Sequence, residues 1–248
     1  MIARNEAANL PRSLASVHGW TSEIILLLND TTDDSRAIAQ TFGARVEERP
    51  WTCRRDQKNL ALDLATQPWI LALDADEVVS PQLQTAIADF IQAGGRGCQG
   101  ARFPRRTWFM GRWITHGDWY PDYNLRLFRR GHGRWAGSRE HDKLHLDGTA
   151  ATLPAHLDHY SFPSLLDNIR KIPEYADAFA REQIEAGRRW SLLHTLFRPL
   201  WRFFRGYILR RGFLDGFPGL YIAATTALYT FVRYALWYER ERLPRPPA

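Results

Sequence analysis

The sequence predicts an α/β protein: a mostly parallel sheet with helices on both faces, followed by a helical segment at the C-terminal end. Over residues 1–93, predicted strands and helices alternate about every 20–25 residues, which is typical of parallel strands joined by right-handed crossover helices. The pattern changes after Gly94-Gly95, where short strands flank an aromatic loop. It changes again near residue 160, where long helical patterns begin. We therefore expect a sheet domain over residues 1–160 and a helical segment over 161–248.

Local signals bound the predicted elements of the first part. Pro11 falls in the first turn of a helix, where proline is tolerated, Gly43 ends the second helix, and Pro81 begins the fourth. A G-x-G-x-x-G sequence is absent, which excludes the usual dinucleotide fingerprint. The predicted elements are the end of a strand at 1–4, a helix at 8–17, a strand at 23–28, a polar turn at 29–35, a helix ending at 42, a strand at 44–47, a helix at 54–65, a strand at 69–73 and a helix at 81–93.

The second part mixes strands with long helical patterns. Strands are predicted at 101–103, 124–128, 143–146 and 152–160, and helices at 163–186, 190–211 and 216–237. The aromatic loop at 108–122 lies between the first two of these strands.

An acidic turn follows the apolar run at 69–73. The run predicts a buried parallel strand, and it ends in Asp74, Asp76 and Glu77. Open α/β sheets bind ligands at the carboxyl ends of their strands, and an Asp-x-Asp turn can share a hard cation such as Mg²⁺ with the phosphate oxygens of a substrate. The alternative is an acidic N-terminus of the helix that begins near Pro81.

Polar residues are also predicted at the ends of the first two strands, Asn5-Glu6 and Asn29-Asp30. Short polar side chains at this edge of the sheet can hydrogen-bond a base and a ribose. The alternative is helix capping, for which Thr32 and Asp33 would suffice.

Two cations, Arg54 and Lys58, open a predicted helix beside the same edge. A cation at a helix N-terminus opposes the helix dipole, and a bound anionic ligand would offset that cost. A solvated basic turn is the alternative.

A transfer reaction that needs a general base would use a carboxylate remote in sequence from the acidic turn. The candidates are Glu140, Asp142, Asp118 and Asp122, and surface salt bridges with nearby arginines are the alternative for each.

Neither histidines nor cysteines predict a zinc site. His156 and His159 would point to opposite faces of a strand, and the two cysteines, Cys53 and Cys98, lack metal-ligand spacing and suit a reducing compartment.

The positive charge is concentrated near the C-terminal end. The net charge is +6, and residues 188–211 hold seven arginines and no acidic residue, with aromatic side chains between them. This composition favours a helix at an anionic membrane surface, with a helix covering the sheet domain as the alternative. Residues 216–232 are 17 residues without a charge, about 25 Å of helix, which suits embedding in one leaflet or burial better than a span. No nucleic-acid-binding signature is present.

Several motifs together resemble glycosyltransferase family 2. They are Asn5-Glu6, the polar turn after the second strand, Gln57-Lys58-Asn59 and Leu73-Asp74-Ala75-Asp76-Glu77. The second half is similar to bacterial β-glycosyltransferases that extend the inner core of lipopolysaccharide. The motifs there are Gly111-Arg112-Trp113, Trp119-Tyr120-Pro121, Leu125-Arg126-Leu127-Phe128, His141-Asp142, His159-Tyr160 and Arg211-Gly212-Phe213-Leu214-Asp215-Gly216.

The resemblance implies a GT-A fold, which is Rossmann-like, and assigns roles to individual residues. Members usually have an aspartate at the end of the second strand, where this chain has Leu28-Asn29, so either Asn29 or Asp30 can take that role. The implied metal ligands for Mg²⁺ or Mn²⁺ are Asp76 and Asp74. The implied donor-binding residues are Asn5, Glu6, Asn29, Asp30, Lys58 and Asp74. The implied general base is Asp142, and the implied acceptor-side residues are Trp113, Trp119, Tyr120 and Asp122.

The resemblance also implies the reaction. An inverting enzyme would move a sugar, with glucose expected, from a nucleotide-diphosphate donor, with a UDP-sugar expected, to a lipopolysaccharide-core or similar glycolipid acceptor. The enzyme would work on the cytoplasmic face of the bacterial inner membrane. The alternatives are transfer to a polyprenyl phosphate, which needs no strong base, and a non-catalytic membrane-docking protein.

Overall fold

The computed structural model describes residues 1–137, 142–162 and 164–243, and the chain forms two compact units. Unit 1 comprises residues 1–105 and 122–159, and unit 2 comprises residues 106–121 and 160–248. The longer segment of unit 2 therefore begins at the predicted boundary near residue 160. Unit 2 also takes in residues 106–121, which the sequence prediction assigned to the sheet domain.

Unit 1 contains a parallel sheet of three strands in the order β1–β2–β3, which confirms the predicted α/β class. Its core joins Leu26 and Leu28 of the central strand to Leu10 and Leu14 of the first helix. The elements are β1 (Ile2–Ala3), α1 (Leu10–Ala15), β2 (Ile25–Leu28), α2 (Ser35–Thr41), β3 (Arg45–Glu48) and α3 (Arg54–Asp63).

The remaining strands of unit 1 form a larger mixed sheet and a hairpin. The elements are β4 (Trp69–Leu71), β5 (Glu77–Val79), α4 (Pro81–Gln92), β6 (Gly100–Phe109), β8 (Asp122–Arg129), β9 (Gly133–Gly137), β10 (Asp142–Leu146), β11 (Ala150–Thr152) and β12 (Leu157–His159). The sheet order is β4–β8–β6–β12–β5. The expectation of a parallel strand at 69–73 is corrected, because β4 pairs antiparallel with β8.

The helix α4 shows how local sequence positions these strands. The Ser80 hydroxyl accepts a hydrogen bond from the Leu83 amide at the N-terminus, and Pro81 occupies the first turn. Leu83, Ile87 and Phe90, at helical spacing, are buried in the core of the larger sheet. This packing anchors the chain immediately after the acidic turn.

Unit 2 combines three helices with the loop at 106–121. Its elements are the end of β6, β7 (Arg112–Ile114), α5 (Leu165–Glu185), α6 (Leu192–Phe204) and α7 (Gly216–Arg242). The loop belongs here because two buried carboxylates hold it. The Asp215 carboxylate accepts hydrogen bonds from the amides of Thr115 and His116, and Asp118 pairs with Arg205 at 2.7 Å. These long-range contacts leave no periodic signal in the sequence.

Within the described ranges, we find no helix whose length and apolar character would let it cross a bilayer.

Candidate active site

The acidic turn lies between β4 and β5, where Asp74 and Asp76 precede the buried Glu77. The alternative that these carboxylates cap a helix is wrong, because Glu77 starts a strand and Ser80 caps α4. The acidic side chains at the end of β4 therefore have partners other than a helix N-terminus.

Hydrogen bonds of Glu77 and Arg126 hold the acidic turn in place. Glu77 is fully buried, and its carboxylate accepts hydrogen bonds from the Asp74 amide at 3.1 Å and from Arg105 at 2.9 Å. Arg126, on β8, donates from one nitrogen, Nη2, to Glu77 Oε1 and to Asp74 Oδ2, each at 2.5 Å. Arg105 continues the network to Asp122 at 2.7 Å. Charge-assisted hydrogen bonds of this kind fix the turn rigidly.

Asp74 also faces Lys58, whose Nζ lies 3.6 Å from Asp74 Oδ1 and 3.2 Å from Asp142 Oδ2. The ammonium lies 4.0 Å from the centre of the Trp135 ring. Burial by itself would raise the pKa of Asp74, but the charges of Arg126 and Lys58 outweigh it and hold this pKa well below its usual range. Asp74 is therefore ionised and already compensated by two cations.

We expect Arg126→Met to lower the free energy of unfolding by about 3–5 kcal/mol, because it leaves the buried Glu77 and its neighbour Asp74 without their shared partner. The loss should shrink in acid. The ion pair lowers the pKa of Asp74 in the folded state, so it stabilises the fold above about pH 4, and this stabilisation is lost as the pH falls towards the lowered pKa. Urea unfolding at neutral and acidic pH measures both effects.

The matched control for that experiment is Arg134→Met. Arg134 pairs with Asp63 at the surface, with 62% of its side chain exposed, so its loss should cost under about 1 kcal/mol. Equal losses for the two variants would contradict the role given to Arg126.

Asp76 faces a histidine. His159 Nε2 lies 3.2 Å from Asp76 Oδ2, because β12 pairs with β5 in a register that places His159 opposite Glu77. Burial raises the pKa of Asp76, but the hydrogen bond and charge of His159 more than offset this and lower it. A carboxylate and an imidazole are thus side by side, next to the compensated Asp74.

This donor set fits a cation that takes few protein ligands. Over the described ranges, no group of three or more histidine, cysteine, aspartate or glutamate side chains is arranged to hold a metal. Mg²⁺ and Mn²⁺ take one or two protein carboxylates when a substrate supplies phosphate oxygens, and the carboxylates of the acidic turn are ligands of that kind. Asp76, with His159 beside it, is the better placed of the two predicted ligands, since Asp74 already contacts Arg126 and Lys58.

Asn5 and Glu6 lie in a loop tied to the turn after β2. Asn5 Oδ1 accepts a hydrogen bond from the Thr32 amide, and Asp33 accepts one from the Ala7 amide, each at 2.9 Å. Burial raises the pKa of Glu6, and the nearby carboxylates Asp76, Asp33 and Asp74 add to this against a hydrogen bond from Asn9. Glu6 therefore belongs to the same electrostatic cluster as the acidic turn.

Asn29 and Asp30 differ in environment. Asn29 is 1% exposed and donates its side-chain amide to the Arg49 carbonyl, so it links the ends of β2 and β3. Asp30 is exposed and has a left-handed backbone, with φ of 46°. Of the two, Asp30 has the side chain available for a ligand.

The carboxylates predicted as candidate general bases lie in different surroundings. The side chain of Asp142 is 5% exposed and faces Lys58, whereas Asp118 lies among arginines of unit 2 and Asp122 binds Arg105. Glu140 lies outside the described residues, as does His141.

The aromatic residues predicted on the acceptor side, Trp113, Trp119 and Tyr120, lie in unit 2. The fourth predicted residue, Asp122, lies in unit 1. Trp113 packs edge-on against Trp108 and Tyr160, with ring centres 5.1 and 5.4 Å away. Trp119 stacks on Phe162 at 5.5 Å, and Tyr120 is half-buried.

A cavity of about 540 Å³ within unit 1 includes Lys58, Asp74 and Arg126 in its lining. Most of the remaining lining is apolar, so the charged end of the acidic turn borders an apolar space.

Sequence reasoning gave no site role to Arg126, Arg105 or His159, although two of the motifs that carry the resemblance contain Arg126 and His159. An arginine inside the apolar run Leu125-Arg126-Leu127-Phe128 was the available signal, since a buried arginine requires an acidic partner. The motif His159-Tyr160 did not indicate the partner of the histidine, because Asp76 is 83 residues away.

Comparisons with known proteins identify the family of the chain. The model of glycosyl transferase family 2 matches residues 1–144. A glycosyltransferase of Rickettsia felis is 29% identical over an alignment of 246 positions, which covers 95% of this chain and 87% of that protein. The lipopolysaccharide core biosynthesis glycosyltransferase LpsC of Rhizobium meliloti is 29% identical over an alignment of 254 positions, which covers 100% of this chain and 93% of that protein.

Two solved structures share the fold. The mannosyltransferase PcManGT of Pyrobaculum calidifontis, in complex with GDP-Man and Mn²⁺, superposes with a TM-score of 0.54 at 13% identity. The match covers 97% of this chain and 86% of that chain. S. aureus TarS 1–349, in complex with UDP-GlcNAc, has a TM-score of 0.52 at 11% identity, and the match covers 97% of this chain and 90% of that chain. The GT-A fold expected from the resemblance is thereby confirmed. Because the family model matches residues 1–144, more than half of the chain, the protein belongs to glycosyltransferase family 2.

Proposed function

We propose that this enzyme is a metal-dependent, inverting hexosyltransferase that moves a sugar from a nucleotide-diphosphate donor to a lipopolysaccharide-core or similar glycolipid acceptor. The observation that carries the proposal is the acidic turn, in which Arg126 and Lys58 compensate Asp74 while Asp76 faces His159. Family membership supports a glycosyl transfer, and the likeness to LpsC supports the class of acceptor.

The donor is proposed as a UDP-sugar, with UDP-glucose as the first to test. The two structural relatives bind UDP-GlcNAc and GDP-Man, so the nucleotide differs among proteins of this fold. Asn5, Glu6 and Asp30 would contact the nucleoside, at the polar loops beside the acidic turn.

Asp76, with His159 beside it, would hold Mg²⁺ or Mn²⁺, and the bound cation would supply charge neutralisation for the diphosphate. The presence of Mn²⁺ in the complex of PcManGT supports this assignment.

The chain's own residues suffice for the remaining steps. Asp142 would take the proton of the acceptor hydroxyl, which attacks the anomeric carbon from the face opposite the diphosphate. The ammonium group of Lys58 lies 3.2 Å from Asp142, and its side chain is largely buried. It would stabilise the negative charge that develops on the leaving diphosphate. A single displacement inverts the anomer, so no protein nucleophile is required.

We also propose that the enzyme works at the cytoplasmic face of the bacterial inner membrane, where a nucleotide sugar and a growing glycolipid would meet. Nucleic acid is not a proposed partner.

The test is transfer by the purified full-length chain from UDP- and GDP-sugars to lipopolysaccharide from strains truncated in the inner core, with the product identified by mass spectrometry. We expect one sugar to be added from one donor, and EDTA to abolish the addition. Transfer to a polyprenyl phosphate but not to the core would establish the alternative acceptor. Failure to bind any nucleotide with Mn²⁺ would overturn the proposal in favour of a non-catalytic protein.

A further inference from the structure

The helix α6 has its apolar side chains on the outside. Leu192, Leu196, Leu200 and their neighbours Leu193, Phe197 and Trp201 are 52–68% exposed. These positions repeat every four residues and form one continuous stripe. The buried positions of the same helix are instead Thr195 and Pro199. A helix that belonged only to the protein's own core would show the opposite arrangement.

A row of arginines runs beside this stripe. Arg198 and Arg202 lie four residues apart on one side of α6, and Arg205 follows three residues later, directly after the last residue of the helix. Residues 188–211 contain no acidic residue, so within its own segment this row has no counter-charge.

The carboxylate of Asp118 lies against this row and is shared by several cations. Asp118 lies 2.7 Å from Arg205, 3.4 Å from Arg210 and 3.6 Å from Arg202. Three guanidinium groups around one carboxylate leave an excess of positive charge. Burial and the neighbouring charge of Arg205 lower the pKa of Arg202, which reports the same crowding. An external anion would relieve it.

The exposed apolar side chains continue beyond the helix. Ile208, Phe213 and Phe217, which follow α6 in the chain, are also 44%, 45% and 65% exposed. Contiguous exposed apolar surface of this kind marks an interaction site.

We propose that the stripe and the arginine row of α6, together called the arginine–apolar face, dock onto a bilayer that contains anionic phospholipids, with α6 lying in the plane of the headgroups. Apolar side chains would enter the acyl boundary, and the arginines would meet the phosphates. A second copy of the chain fits less well, because a symmetric contact would bring two arginine rows together. This inference deepens the proposed membrane location and rests on it.

The experiment measures sedimentation of the full-length protein with phosphatidylcholine vesicles, with and without phosphatidylglycerol. We expect binding to the anionic vesicles that weakens with salt. Leu196→Asp combined with Leu200→Asp should reduce the partition coefficient at least about 100-fold, because two inserted side chains become charged. Arg198→Gln should reduce it about fivefold, the equivalent of about 1 kcal/mol for one arginine near the surface.

The matched control is Leu166→Asp, on α5, where the native side chain is 60% exposed outside this face. It should leave vesicle binding unchanged. Equal weakening by Leu166→Asp, or failure of the wild type to bind anionic vesicles, would overturn the proposal. So would light scattering that shows a dimer which Leu200→Asp dissociates, since the face would then join two copies.

Transfer to a detergent-solubilised acceptor without vesicles separates this proposal from the proposed function. Activity there without vesicle binding would refute the docking face alone, whereas vesicle binding without any transfer would refute the catalytic proposal alone.

Discussion

Asp76→Asn should abolish sugar transfer, with a loss of at least about 10²–10³-fold in kcat, while the fold stays intact. Asparagine keeps the volume of Asp76 and can still contact His159, but it lacks the negative charge that a divalent cation requires. The side chain is 31% exposed and its partner is a single imidazole, so the free energy of unfolding should change by less than about 1 kcal/mol. Transfer assays measure the loss in kcat, and calorimetry with UDP and Mn²⁺ measures the loss of cation-dependent nucleotide binding. Urea unfolding checks that the free energy of unfolding is nearly unchanged.

The control for this experiment is Asp89→Asn. Asp89 is an exposed aspartate on α4, and its substitution removes the same charge. Its transfer rate should equal that of the wild type. If Asp76→Asn retained wild-type turnover, the assignment of Asp76 as the cation ligand would be wrong. If Asp74→Asn alone abolished Mn²⁺-dependent binding, Asp74 would be the ligand instead.

Asp142→Asn should lose about 10²–10⁴-fold in kcat and still bind the donor, because a general base acts on the acceptor hydroxyl and not on the nucleotide. Lys58 would then keep its contact with Asp74, at 3.6 Å, so the donor side of the site should stay in place. Steady-state kinetics and donor titration test this separation of turnover from binding.

Glu140→Gln is the comparison variant, since Glu140 was the nearest rival for the same role. It should be active if Asp142 is the base. Inactive Glu140→Gln beside active Asp142→Asn would transfer the role, and full activity of both would favour an acceptor that needs no base, such as a phosphate.

Much of the fold followed from local pattern. Helices with amphipathic spacing and clear end signals were placed within a few residues, as at α4, where Ser80 and Pro81 mark the start. The long helices at the C-terminal end were predicted for the same reason. The direction of β4 was not, because an apolar run of five residues looks the same whether its neighbour runs parallel or antiparallel.

Some residues of the candidate site were predictable from local sequence, and others depend on tertiary contacts. The acidic turn, Lys58 and Asn5-Glu6 were found from residue type and position at the ends of predicted strands. Asn29 has an expected role in donor binding, and the structure adds that its side-chain amide donates to the Arg49 carbonyl and so joins two strands, which no local pattern indicates. The assignment of residues 106–121 to unit 2 depends on contacts across about a hundred residues, from Thr115 and His116 to Asp215.

The sequence by itself determined the α/β class and the chemical character of the acidic turn, because these depend on periodicity and on residues close together in the chain. The family followed from the resemblance of its motifs and from the match of the family model. Only the tertiary structure decided which partners surround that turn. Arg126 and Lys58 compensate Asp74, and strand pairing brings His159 to Asp76, so that Asp76 is left as the carboxylate best placed for a cation. The physical reason is that charge compensation depends on distances of a few ångströms between residues far apart in sequence, and only the folded chain sets those distances.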